Sequence, residues 1–259
     1  MSAPVISTGR RFEEQVAVVT GAGGGIGSAI AERFAAEGAQ VVICDVAEPN
    51  AAATARTIDE SGGAASVLTF DLTEPAACAG AIEQVVAEHG RVDVLVNNAG
   101  VNRRGDLLTL TDADWKLTFT VNVDALFHLC RAVLPHMITA GGGAIVNTAS
   151  QWGLHPVPGH IAYNVSKAAV VSFTQNLARD YAPHGVRVNA VAPGEVYTPM
   201  VAANLERTGR TRADLDALVP FGRIGEPAEI AALVAFLASG EAPFLCGSVV
   251  EITGAQAAG

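Results

Sequence analysis

Tyr163 and Lys167 stand four positions apart, in Tyr163-Asn164-Val165-Ser166-Lys167. On a helix that spacing puts both side chains on one face. A phenol with a pKa near 10 is a poor base at neutral pH. Bringing it toward 7 takes roughly 4 kcal/mol of differential stabilisation of the phenolate. An ammonium about 5 Å away supplies roughly 3 kcal/mol at an effective dielectric near 20. Ser150, thirteen residues before Tyr163, adds a hydroxyl that could hold a substrate oxygen. The pattern on its own also fits a surface coincidence, so the elements around it decide its meaning.

The segment Thr20-Gly21-Ala22-Gly23-Gly24-Gly25-Ile26-Gly27 follows an apolar strand-like run and opens a helical pattern. Glycines allow a tight turn and let backbone approach a pyrophosphate, and a helix N-terminus supplies free N–H donors. In that context the cluster reads as a dinucleotide site, with Gly21, Gly23, Gly24, Gly25, Ile26 and Gly27 at the phosphates. Asp45 ends the second strand run, 18 residues after Gly27. Its carboxylate can accept hydrogen bonds from both adenosine ribose hydroxyls and would repel a 2′-phosphate. No Arg or Lys follows Asp45 or lies in the glycine loop, so NAD is favoured over NADP. The other reading of Asp45 is a plain turn cap. The positive ring of oxidised NAD supplies the rest of the phenol's shift.

Asp71-Leu72 ends the third run. Asp71 either contacts the adenine amino group or caps the helix that begins near Pro75. In Asn97-Asn98-Ala99-Gly100, Asn97 ties strands together, while Asn98, Ala99 and Gly100 line the cofactor.

Strand-like runs at Gln15–Thr20, Ala39–Asp45, Ala64–Phe70, Val92–Asn97, Ala144–Ala149, Gly185–Val191 and Ser248–Ile252 are apolar nearly throughout, as strands buried on both faces should be. Helical patterns separate them at Ile26–Glu37, Ala51–Ser61, Pro75–His89, Asp112–Thr139, Tyr163–Tyr181 and Pro227–Ala238. Repeated strand–helix units with right-handed crossovers predict an α/β, doubly wound Rossmann fold: a seven-stranded parallel sheet with helices on both faces. No linker or repeat divides residues 1–259, which are read as a single nucleotide-binding domain. Residues 195–223 break the rhythm and are expected to form a mobile substrate lid, with a short amphipathic stretch near Asp214–Leu218.

Composition narrows the field. The chain has 259 residues, half of them hydrophobic and 16% charged, which excludes a disordered chain. A net charge of −10 makes nucleic acid and anionic membranes poor partners. No apolar run approaches the roughly 18 residues of a membrane helix. The start, Met1 to Arg11, lacks a signal-peptide core, although Arg10-Arg11 resembles a twin-arginine export signal. The scattered cysteines Cys44, Cys78, Cys130 and Cys246 read as reduced thiols of a cytoplasmic protein. No metal-spaced cluster occurs, so no metal site is expected.

Taken together, these motifs resemble the short-chain dehydrogenase/reductase family, in its branch of about 250 residues. The likeness covers nearly the whole chain: TGxxxGxG at Thr20–Gly27, Asp71, NNAG at Asn97–Gly100, Asn122, Ser150, Tyr163 with Lys167, Asn189, and Pro193-Gly194 followed by Thr198. The resemblance implies that Tyr163 is the general acid/base. It implies that Lys167 binds the nicotinamide ribose and lowers the tyrosine pKa, and that Ser150 orients the substrate. Asn122 would hold a water in a proton relay through Lys167. Pro193, Gly194, Val196 and Thr198 would meet the nicotinamide end. The resemblance also implies a homotetramer built through the two long central helices. The chain departs from the family's common V-D-G-G ending, reading Glu251-Ile252-Thr253-Gly254-Ala255.

The residues expected around the substrate are Asn102, Arg103, Arg104, Gln151, Trp152, His155, His160, Glu195 and Tyr197. They suit hydroxyls better than an acyl chain or a steroid. Arg103 or Arg104 could receive an anionic group or form a solvated surface pair. His155 and His160 read as ligands or as loop residues, and Trp152 as a sugar-stacking face or as packing. The function expected is NAD-dependent interconversion of a secondary alcohol and a ketone, or of a sugar hydroxyl and a lactone, on a small sugar, polyol or hydroxy acid. A 3-oxoacyl-type carbonyl reductase is the alternative enzyme; Asp45 argues against it, since reductive biosynthesis usually draws on NADPH. A non-catalytic NAD-binding sensor is the alternative of another class, against which the intact Ser150, Tyr163 and Lys167 argue.

Overall fold

The computed structural model describes residues 9–256; residues 1–8 of the start discussed above lie outside them. Seven parallel strands form one sheet in the order β3-β2-β1-β4-β5-β6-β7. They are β1 Val16–Thr20, β2 Gln40–Asp45, β3 Ala64–Thr69, β4 Val94–Asn97, β5 Gly143–Thr148, β6 Val186–Pro193 and β7 Val249–Ile252. Parallel neighbours require crossovers, and helices supply them on both faces. On one face lie α1 (Gly25–Ala36), α2 (Glu48–Glu60) and α10 (Pro227–Ala238), whose Ile30, Phe34, Ile58 and Ile230 join a core with Val19 and Val41. On the other lie α3 (Pro75–His89), α5 (Ala125–Thr139) and α7 (Ile161–Tyr181), with Ile82, Leu129, Val133 and Val170 around Leu95 and Val188. This is the doubly wound arrangement the alternation predicts.

The central strands β1 and β4 are buried at every position, as β-branched runs covered on both faces should be. The edge strand β3 is not: its residues are half-buried or exposed, and Val67 is open to solvent. An edge position leaves fewer helices to cover it. Cys44, Cys78 and Cys130 are free and buried, and burial pushes their thiols up to about 12, 11 and 12.

The predicted helix Asp112–Thr139 is broken in its hydrogen bonding. It runs as α4 (Asp112–Phe119), a π-turn (Thr120–Asp124) and α5. By length and hydropathy alone it could cross a membrane, which the sequence reading did not find because charged residues such as Asp124 and Arg131 divide its apolar runs. Its inner residues Leu126, Leu129, Val133 and Met137 belong to the protein core. Arg11 of the arginine pair is a structural cation: with Arg33 it clasps the buried carboxylate of Glu37.

Residues 195–223 include helical segments. They contain α8 (Pro199–Thr208) and α9 (Arg212–Asp216), which follow the single turn α6 (Gln151–Leu154) in chain order. Thr198 and Thr211 cap their N-termini, and Leu205, Leu215, Val219 and Ile224 form a small core of their own.

Candidate active site

Sheet order reverses between β1 and β4, and a crevice opens there at the carboxyl ends of the strands. It holds a cavity of ≈ 810 Å³. The glycine loop forms one wall. Gly21 has φ 63, and a Cβ at Gly27 would stand 2.1 Å from the Gly21 carbonyl oxygen, so no side chain fits between loop and helix. The α1 N-terminus carries no side-chain cap and no acid in its first turn, which leaves its N–H donors to an anion. Asn98 fixes the loop from below, its Nδ2 donating to the carbonyls of Thr20 (3.0 Å) and Gly21 (3.2 Å). Asn97 Nδ2 donates to Asn147 Oδ1 (2.9 Å), tying β4 to β5 as its sequence position suggests.

At the end of β2, Asp45 accepts the N–H of Gly23 (2.9 Å) on one oxygen and that of Ala47 (2.9 Å) on the other. It is thus a turn cap and a wall of the cavity at once. Among the described residues Lys167, toward the far end, is the one lysine or arginine that lines the cavity. Asp71 and Leu72 also line it. The Asp71 carboxylate accepts both the N–H and the hydroxyl of Thr73 (2.8 Å each), which holds it below the usual range. It does not cap α3; Glu74 occupies that position.

At the far end of the cavity, Ser150 follows β5 and caps α6, accepting the Trp152 N–H at 3.2 Å. Tyr163 sits in the first turn of α7 with Lys167 one turn later. The Lys167 ammonium is 5.7 Å from the tyrosine ring centre and donates to the Thr148 carbonyl at 2.6 Å. Burial pushes Lys167 down to about 8. Burial also raises the Tyr163 phenol, with a hydrogen bond from Ser150 opposing and the Glu195 charge reinforcing. The side chains alone leave the phenol raised.

Asn122, in the π-turn, makes three structural hydrogen bonds with its side chain. Its Oδ1 accepts the Val101 N–H (2.8 Å), and its Nδ2 donates to the Val101 carbonyl (3.0 Å) and Ser166 Oγ (2.9 Å). A hollow of ≈ 10 Å³ bounded by Asn122, Thr148 and Lys167 has room for about one water.

The short chain dehydrogenase family model matches residues 15–209. The chain belongs to this family. It is 42% identical to the short-chain reductase protein NovJ of Streptomyces niveus, across 94% of each chain. It is 36% identical to a 3-oxoacyl-[acyl-carrier-protein] reductase of Thermotoga maritima, covering 94% of this chain and 98% of that one. It is 39% identical to the D-threitol dehydrogenase of Mycolicibacterium smegmatis, covering 94% and 93%. A crystal structure of a short-chain type dehydrogenase/reductase from Mycobacterium marinum superposes with a TM-score of 0.89 at 32% identity, over 96% of this chain and 97% of that one. Members of the family are oxidoreductases that use a nicotinamide cofactor, and the uncapped α1 N-terminus and the Gly27 contact provide the cradle such a group needs.

Of the residues expected around the substrate, Asn102, Ser150, Gln151, Trp152, Tyr163 and Glu195 line the cavity. Trp152 meets Tyr163 edge-on, centroids 6.0 Å apart, and lies 4.7 Å from His160. Gly194, Val196 and Thr198 line the same cavity, with the Thr198 methyl facing Gly25. Pro193 does not reach the cavity: it is the last residue of β6, paired with Ile252. His155 also falls outside, exposed and 3.3 Å from Glu251 on β7. Arg103 pairs with Asp114 (3.5 Å) on the surface. Arg104 is exposed, though its charge reaches Glu195 and His160. The Tyr197 ring is covered by the Arg212 guanidinium at 4.5 Å.

Sequence reasoning missed Val46, Asn50, Thr148, Met200 and Val201, all on the cavity wall. The position of Thr148 at the end of β5, one turn of chain before Ser150, is the signal that would have found it. Nothing local marks the others.

Proposed function

We propose that this short-chain dehydrogenase oxidises a secondary alcohol to a ketone, or a sugar hydroxyl to a lactone, with NAD as acceptor and a small sugar, polyol or hydroxy acid as substrate. The observation that carries the reading is that Asp45, Ser150, Tyr163 and Lys167 all line one cavity. Asp45, anchored to the glycine loop, presents a carboxylate where a 2′-phosphate would need a cation. A nicotinamide cofactor held by the glycine loop would supply the hydride acceptor. Tyr163 takes the proton of the substrate hydroxyl, and Ser150 holds the same oxygen as the carbonyl forms. Lys167 binds the cofactor ribose. Residues 195–223 close over the substrate, and four copies assemble through the long helices. All of residues 1–259 serve as one domain, in the cytoplasm.

The name of the D-threitol dehydrogenase favours this reading. The second reading, a 3-oxoacyl-type carbonyl reductase, is favoured by the relative of that name. The test is initial NADH formation from NAD and a panel of sugars, polyols, hydroxy acids and 3-hydroxyacyl thioesters, with Tyr163→Phe as control. Turnover of a sugar, polyol or hydroxy acid that falls about a thousandfold in Tyr163→Phe, with NADH binding retained, is the expected result. Turnover of thioesters alone would establish the second reading. A function that survives Tyr163→Phe would mark a sensor.

A further inference from the structure

Just after β7 the chain turns back on itself, and the turn is strained. Gly254 and Ala255 both hold left-handed backbone, with φ 61 and 62, and the Gln256 N–H donates to the Thr253 carbonyl at 3.1 Å. Mirror-image turns of this kind need positive φ at both central residues. Glycine adopts that backbone freely, whereas an alanine side chain is crowded by it. Such strain persists where the surroundings over-determine the conformation.

The surroundings here are three segments of the cavity's frame. The Gly254 carbonyl accepts the Phe221 N–H at 3.1 Å, and a Cβ at Gly254 would stand 2.7 Å from a Val219 methyl, so the turn is seated on the end of residues 195–223. Thr253 packs on Gly194, where a Cβ would lie 3.0 Å from the Thr253 Cα. The Gln256 side chain then spans two loops. Its Oε1 accepts Gln151 Nε2 at 3.1 Å and the Glu195 backbone N–H at 3.4 Å. The backbone donor identifies that atom as the amide oxygen. One donor follows β5 and the other follows β6, and Gln151 is the residue next to Ser150. Gln256 does not line the cavity.

We infer that Gln256 is a positioning residue: its amide oxygen, held by the strained turn, ties Gln151 to the Glu195 backbone and so sets Ser150 against Tyr163. This rests on the reading of Ser150 and Tyr163 as the pair that serves the reacting oxygen, and names what aligns them. A small displacement of such a pair lowers the rate of the chemical step without weakening cofactor binding.

The experiment uses full-length protein in a Trp115→Phe background, which leaves Trp152 as the sole tryptophan. It measures kcat and KM with NAD and the best substrate of the panel above, and acrylamide quenching of Trp152, whose N–H donates to Ser150. Gln256→Met keeps the length and removes the acceptor. It should lower kcat about tenfold, leave the KM for NAD within about twofold, and raise quenching about twofold. Gln256→Glu keeps an acceptor oxygen and should recover most of both signals. Ala255→Pro fixes φ at about −65° and unseats the turn. It should match Gln256→Met, and the double variant should be no slower than either alone. Ala255→Gly keeps the turn without its strain and should behave as the unmodified protein. Should Ala255→Pro not fold, the two Gln256 variants carry the readout. An unchanged kcat in Gln256→Met, a Gln256→Glu variant as slow as Gln256→Met, or a loss confined to the KM for NAD overturns the inference while alcohol oxidation stands. Full turnover by Tyr163→Phe, or a protein idle on the whole panel, removes the reading beneath it as well.

Discussion

Replacing Lys167 by methionine tests the electrostatics of the site through stability. Burial pushes this lysine from its ordinary value of 10.5 to about 8. The folded state therefore sheds its proton near pH 8, while the unfolded chain keeps it up to about pH 10.5. Between those values the unfolded state binds more protons, so stability rises with pH. The penalty of the buried ammonium is fully present below pH 8 and is relieved as pH climbs toward the unfolded value. At pH 7 it amounts to about 3 kcal/mol, and at pH 10 to about 1 kcal/mol. Lys167→Met has no such penalty at either pH, though it loses the bond to the Thr148 carbonyl at both. The lost bond is a constant offset and cancels in the comparison. Urea unfolding at pH 7 and pH 10 should thus show the stability of the unmodified protein, relative to Lys167→Met, improving by about 2 kcal/mol. Parallel pH dependences for the two proteins would refute a lysine depressed by burial.

Three further outcomes follow from the cofactor end and its support. Asp45→Ser should lower the preference for NAD over NADP at least tenfold in kcat/KM; an unchanged ratio would mean that the carboxylate does not read the ribose. Gly27→Ala would place a Cβ 2.1 Å from the Gly21 carbonyl, so NADH affinity should fall at least a hundredfold while circular dichroism stays helical and sheet-like. Retained affinity would show that the loop can yield. Glu37 is 1% exposed; burial would raise its carboxyl, but hydrogen bonds from Arg11 and Arg33 outweigh that and hold it low. Its stabilisation is present above the unfolded carboxylate pKa and is lost as pH falls through the folded one. Glu37→Leu leaves two guanidiniums without their shared partner and should cost about 3–5 kcal/mol at pH 7 by urea unfolding; a loss below about 1 kcal/mol would refute the clasp.

The parallel sheet and the glycine turn were legible because their signals are local. Val and Ile runs mark buried strands, the glycines mark a turn that backbone contacts enforce, and Tyr163 and Lys167 share a face by helical spacing alone. Pro75 and Pro227 place the starts of α3 and α10 where the structure has them. What was not legible depends on where loop side chains point. His155 and Arg103 follow or precede the right motifs, but Glu251 and Asp114, distant in sequence, draw them to the surface. The π-turn is equally hidden: the asparagine that spans it is satisfied by Val101, which is 21 residues away. Gln256 reaches the site from the other end of the chain, and no spacing rule connects it to Gln151.

The two shifts at the acid–base pair have one cause and pull in opposite directions. Burial raises the tyrosine and lowers the lysine, so each is driven toward its neutral form. A phenolate beside an ammonium is thus disfavoured in the bare site, although the ammonium itself, with its pKa at about 8, is still the main form at pH 7. It stands 5.7 Å from the ring centre, and the phenol stays raised all the same. On the proposed mechanism Tyr163 becomes a competent base only when a further positive charge stands beside it. Oxidised NAD carries that charge and the reduced form does not. Proton abstraction is then tied to the presence of the hydride acceptor, and a buried pair that looks badly tuned in the free protein is what makes that dependence strict.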